Sequence, residues 1–165
     1  MNKNLSYRSK TVQLTQAAII AALYIVLTLF ANALGLANYA VQIRFSESLC
    51  ILPYFTKSAI PGLFIGCLLS NIITGCALPD IIFGSIATLI GSIITYVLRK
   101  YKWCAPIGPI VSNAVIVPFV LYYAYGIQPV WFSFVTVTLG EIISCGILGM
   151  LLLVTLQKYR NVLFH

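Results

Sequence analysis

Carboxylates are nearly absent from this chain: among 165 residues only Glu47, Asp80 and Glu141 are acidic, and His165 is the only histidine. There is no GxxxxGK[ST] loop to cradle nucleotide phosphates, so the chain has no conventional means of hydrolysing ATP itself. HExxH and GxSxG are missing too, and no Cys/His pair is placed for nucleophilic or metal catalysis. These absences argue against an enzyme and predict no metal and no cofactor. No duplication into two halves is evident, which argues against a self-sufficient inverted-repeat carrier.

What is abundant is apolar. Hydrophobic residues make up 61% of the chain and charged residues 8%, with a mean hydropathy of +1.00. Such a composition belongs to an integral membrane protein. A crossing helix needs roughly 20 residues for a hydrocarbon core of about 30 Å, so this length accommodates about six crossings and no soluble catalytic domain. The net charge of +7 is not a nucleic-acid signature, because the basic residues sit in short clusters between apolar runs, where they suit topology and anionic lipid. The five cysteines, Cys50, Cys67, Cys76, Cys104 and Cys145, lack metal-type spacing and read as small packing residues.

The expected architecture is a single membrane domain over residues 1–165, an all-α integral membrane protein of six transmembrane helices. The spans fall at about 11–34, 45–55, 60–74, 80–98, 106–123 and 130–157. The first is read as a retained helix rather than a cleaved signal peptide, because its apolar run is long enough to span. Pro61 suits the opening turn of the third span and Pro118 predicts a bend in the fifth. Nine of the ten basic residues then fall on one side, with only Arg44 outside the pattern. By the positive-inside rule both termini are cytoplasmic.

That topology places Glu47 and Asp80 at the outer ends of the second and fourth spans. Glu141 lies about 16 Å into the sixth at 1.5 Å per residue, near the midplane. Asn113 reaches a similar depth and Asn71 the outer half of the third span. An intramembrane ionisable group is a functional-site hypothesis by default. Three acids against Arg44 give this side a net charge of −2, which suits a cation or a heterocycle rich in N–H donors. Tyr39, Phe83, Tyr122, Tyr123, Tyr125 and Trp131 lie at the same level and can stack on a flat ring or form an interfacial aromatic belt. Each acid has a plainer reading as well: Glu47 as a helix-start partner of Arg44, Asp80 as a helix cap. Glu141 has no basic neighbour in sequence. Asn113 and Asn71 serve equally for helix–helix hydrogen bonds. Small residues at Ala17, Ala18, Ala21 and Ala22, and at Gly62, Gly66 and Ser70, allow close helix approach, within the bundle or against a partner.

The run VQIRFSESLCILPYFTKSAIPGLFIGCLLSN, followed by DIIFGSIATLIGS and preceded by AAIIAALYIVLT, closely resembles the queuosine-precursor transporter (QueT) family. These are substrate-binding S components of energy-coupling factor (ECF) transporters. The resemblance implies capture of a 7-deazaguanine precursor from outside. It also implies a transmembrane coupling protein and two cytoplasmic ATPases as partners, in the plasma membrane of a prokaryote. On that resemblance Ala17, Ala18, Ala21 and Ala22 form the coupling-protein docking surface, and Gln42 and Arg44 lie near a gate over the ligand. Glu141 or Glu47 would take the guanine-like edge and Asp80 a gate or ammonium contact. An S component for another heterocycle or vitamin, or a solitary proton-coupled carrier, stands as the alternative.

Overall fold

The computed structural model describes residues 3–35 and 43–160, with side chains from Lys10 onward. Every regular element among these residues is helical. The first helix, α1, runs Lys3–Ala33, and its Lys10–Ala33 portion is long and apolar enough to cross a membrane. A ten-residue 3-10 helix, Phe45–Tyr54, follows, then α2 (Ala59–Ile73), which ends before Gly75 at φ +73°. A π-helical turn at Asp80–Gly84 leads into α3 (Ser85–Val97). The fourth helix, α4, spans Ile107–Tyr125 and stops at Gly126 in the left-handed conformation that glycine adopts without strain. A final rod begins as α5 (Val130–Glu141), loosens to a π-helix at Ile142–Gly149 and closes as α6 (Met150–Lys158).

Four stretches are long and apolar enough to cross a membrane: Lys10–Ala33, Asp80–Lys100, Lys102–Tyr125 and Val130–Lys158. The helix Ala59–Ile73 is apolar but shorter. The segment expected at 45–55 forms a helix over nearly those residues, yet of the 3-10 kind. At about 2.0 Å rise per residue, ten residues reach roughly 20 Å, against about 15 Å for an α-helix. Its backbone is enclosed by protein, with Cys50 and Ile51 fully buried, which is the setting in which irregular backbone is tolerated at membrane depth.

Polarity is inverted relative to a water-soluble protein. Leu14, Val97, Trp131 and Leu151 are exposed, whereas Glu47, Asn71, Asp80, Thr88, Asn113 and Glu141 are buried. Two small-residue seams bring helices together. Gly62 and Gly66 of α2 lie against Ala17 and Ala21 of α1, and Gly91 of α3 lies against Pro109 and Ser112 of α4. The alanine set therefore divides, because residues four apart share a helix face while neighbours are turned about 100° from it. Ala17 and Ala21 are buried inside the bundle, while Ala18 and Ala22 face outward.

A Cβ on Gly62 would stand 2.6 Å from the Ala17 carbonyl oxygen, so α1 and α2 would have to part. Gly62→Ala is expected to cost about 1–3 kcal/mol, as overpacking of a tight seam does. Gly146→Ala, whose Cβ would meet only Ile142 at 3.7 Å and Ile110 at 4.0 Å, should melt close to wild type in detergent. Equal melting temperatures for the two variants would contradict this seam.

Candidate functional site

Two of the three acids sit where a helix departs from α geometry. Asp80 opens the Asp80–Gly84 π-turn, and Glu141 is the last residue before the Ile142–Gly149 π-helix. Such turns are rare and recur at functional sites, because the extra residue re-aims the side chains beside it.

The principal polar cavity has a volume of about 380 Å³, within the range of small-molecule sites. Arg44, Asn71, Thr74, Cys76, Asp80 and Tyr125 supply its polar lining, with Thr28 and Asn32 from α1. Tyr125 donates to Asp80 Oδ2 at 3.3 Å and accepts from the Ala77 backbone N–H at 3.0 Å, so it positions the carboxylate from across the mouth. Asn71 donates to the Asp80 carbonyl oxygen at 3.5 Å and to Cys67 Sγ at 3.7 Å. A much smaller cavity of about 20 Å³, roughly what one water needs, is lined by Arg44, Gly84, Thr88, Asn113 and Glu141. Arg44 lines both spaces.

In the smaller space Asn113 Nδ2 donates to Glu141 Oε1 at 2.9 Å. The other oxygen, Glu141 Oε2, is buried with no hydrogen-bond partner among the described residues. An unmatched carboxylate oxygen in a dry interior is costly, which marks a place where an N–H donor would be strongly favoured.

Glu47 is a different kind of acid. It is 1% exposed and lines neither cavity. Tyr24 Oη donates to its Oε1 and Cys50 Sγ to its Oε2, while Cys145 Sγ donates to its backbone carbonyl. Ligand atoms of Glu47, Glu141 and Cys145 lie within 4.8 Å of one another, the spacing of a possible metal site. The Glu47 oxygens and the Cys145 thiol are already engaged, so this cluster holds segments together and is poorly set up to take an ion.

The remaining candidates separate as follows. Asn71, Asp80 and Arg44 meet in the larger cavity, and Glu141, Asn113 and Arg44 in the smaller. Phe83 and Trp131, 50% and 68% exposed, face outward, and Phe83 lines an apolar groove with Phe119 and Tyr123. Tyr122 packs edge-on to Tyr123 and lines neither polar space. Gln42 lies outside the described residues. Cys76, Thr28 and Asn32 were not foreseen. Their contribution depends on how the α1–α2 pair is turned, which the spacing of small residues hints at without specifying.

The fold and this interior define a polytopic helical membrane protein enclosing a solute-sized polar chamber. A protein-family model described as QueT transporter matches residues 14–158. The chain belongs to that family, which is one of transporters and not of enzymes. The "Queuosine precursor transporter QueT" of Lactococcus lactis subsp. cremoris (strain MG1363) is 35% identical over 83 residues. That match covers 50% of this chain and 48% of the relative, so the matched part is about half the relative's length. No solved structure matches the chain.

The hydrogen bond to Glu47 gives a direct test of its structural role. Tyr24→Phe removes one donor from a buried carboxylate and is expected to cost about 1–3 kcal/mol of stability. A lowered melting temperature with unchanged ligand affinity at saturation is the expected pattern; loss of binding without loss of stability would place Glu47 in the ligand site instead.

Proposed function

We propose that this protein is the substrate-capturing S component of an ECF-type importer, taking a 7-deazaguanine precursor of queuosine from outside the cell. In this reading all six helical segments cross or line the membrane, and both termini lie in the cytoplasm of a prokaryotic cell. A separate transmembrane coupling protein and two cytoplasmic ATPases supply the work, consistent with the lack of a phosphate-binding loop. The substrate class rests on family membership and on the curated relative's name. The observation that carries the site is the unpartnered Glu141 Oε2 beside Asn113. A deazaguanine offers a ring N–H and an exocyclic amino group along one edge, two donors that a carboxylate can accept in parallel. Asn113 fixes the carboxylate from the far side. Asp80, steadied by Tyr125, faces the wider chamber and suits the substituent on the five-membered ring.

The outward-facing Ala18 and Ala22, rather than the internal Ala17 and Ala21, form the docking surface for the coupling protein in this reading. Small side chains there let a partner helix approach closely.

Calorimetry on detergent-solubilised protein tests the substrate. The panel comprises 7-cyano- and 7-aminomethyl-7-deazaguanine, queuine, guanine, thiamine and riboflavin. One deazaguanine should bind tightly, and Glu141→Gln should weaken it by about 1.5–3 kcal/mol, the worth of a hydrogen bond to a charged group. Tight binding of a vitamin would discard the substrate and keep the architecture. Uptake in cells that collapses with a proton ionophore at constant ATP would favour a solitary carrier. Ala18→Leu with Ala22→Leu should abolish uptake and leave binding intact; uptake surviving both would contradict the docking surface.

A further inference from the structure

The chain places one cation among its three acids. The Arg44 guanidinium is within electrostatic reach of Asp80, Glu47 and Glu141. Yet its side chain makes no hydrogen bond and no ion pair with any described residue, and it lines both cavities. The acid on the smaller cavity keeps an oxygen, Glu141 Oε2, buried without a partner among the described residues. A guanidinium that balances carboxylates without being fastened to them is a counter-ion held by field rather than by directional bonds. Desolvated carboxylates need a nearby positive charge, but nothing here requires that charge to be covalently attached.

We infer that Arg44 is an exchangeable counter-ion occupying a cation site between Asp80 and Glu141, which a ligand's own ammonium group takes over. When a ligand amine enters, it replaces Arg44 opposite Asp80, and the two cavities become one continuous space. The guanidinium withdraws toward the mouth of the chamber. A neutral ligand offers no replacement charge, so it must bind with Arg44 still in place and in a smaller space. Arg44 thus acts as a specificity determinant, because it competes with a cationic ligand for the site and does not compete with a neutral one. The cation site itself does not depend on the deazaguanine assignment; only the choice between its amine and nitrile forms rests on that reading.

Two measurements separate these layers. Arg44→Ala removes the charge and leaves a gap of guanidinium shape between the acids. In detergent, millimolar guanidinium should raise the melting temperature of Arg44→Ala above that in matched sodium chloride, with no such rise in wild type. No selective rise in Arg44→Ala would overturn the exchangeable cation site. Arg44→Gln, which keeps much of the side-chain length without charge, should shift the affinity ratio of 7-aminomethyl- over 7-cyano-7-deazaguanine toward the amine by at least about tenfold. An unchanged ratio, or one shifted toward the nitrile, would overturn the specificity role. If guanidinium rescues Arg44→Ala but wild type binds neither deazaguanine, the cation site stands and the substrate class falls. Normal deazaguanine binding without guanidinium rescue would keep the substrate class and discard the cation site.

Discussion

A carboxylate buried within an apolar bundle has to be satisfied by protein donors, and Glu47 meets that constraint while its side chain and backbone together join three parts of the fold. Tyr24 reaches it from α1, Cys50 from its own 3-10 helix, and Cys145 binds its backbone carbonyl from the π-helical part of the last rod. The Phe45–Tyr54 segment is thereby held inside the bundle although it is too short to cross a membrane as an ordinary helix. With this segment fixed, Arg44 at its entry is delivered to the interior, and the two cavities take their shape around it.

The three acids consequently divide their work. Glu47 is enclosed and fully engaged, so its role is to hold the bundle. Asp80 and Glu141 stand at the π-helical turns, each with one flank occupied by a neutral partner, Tyr125 or Asn113, and with capacity left toward a cavity. Under the proposed function this asymmetry has a natural use, with an inner anchor behind and ligand acceptors in front. The seam of Gly62 and Gly66 against Ala17 and Ala21 makes the α1–α2 pair a stiff unit, leaving the outward alanines, Ala18 and Ala22, free to meet something else.

Much of this was legible from the residues. The apolar runs located the helices to within a few positions except at the start of α1, which begins at Lys3, and the rarity of acids singled out Glu141, Asp80 and, with them, Asn113 and Asn71. Counting rise per residue put Glu141 and Asn113 at a similar level, and the two side chains do meet, Asn113 donating to Glu141. Phe83, Trp131 and Tyr122 line neither polar cavity, because a hydropathy profile reports position along a helix and not azimuth around it. Azimuth also divided the four alanines. The 3-10 geometry of Phe45–Tyr54 and the π-turns were invisible because no local propensity specifies them; tertiary packing around the acids does. The cysteines looked like inert filler, yet two of them supply donors to Glu47, a role that depends on partners 3 and 98 residues away in the chain.

Cys76 lines the larger cavity, whereas Cys50, Cys67 and Cys145 are buried and Cys104 belongs to the basic turn after α3. Labelling intact cells with a membrane-impermeant thiol reagent therefore reads out the chamber directly. Modification of Cys76 from outside, slowed by a saturating deazaguanine and lost in Cys76→Ser, is the result expected of an outward-facing capture site. Labelling that requires permeabilised cells, or that proceeds at the same rate with every ligand bound, would contradict it.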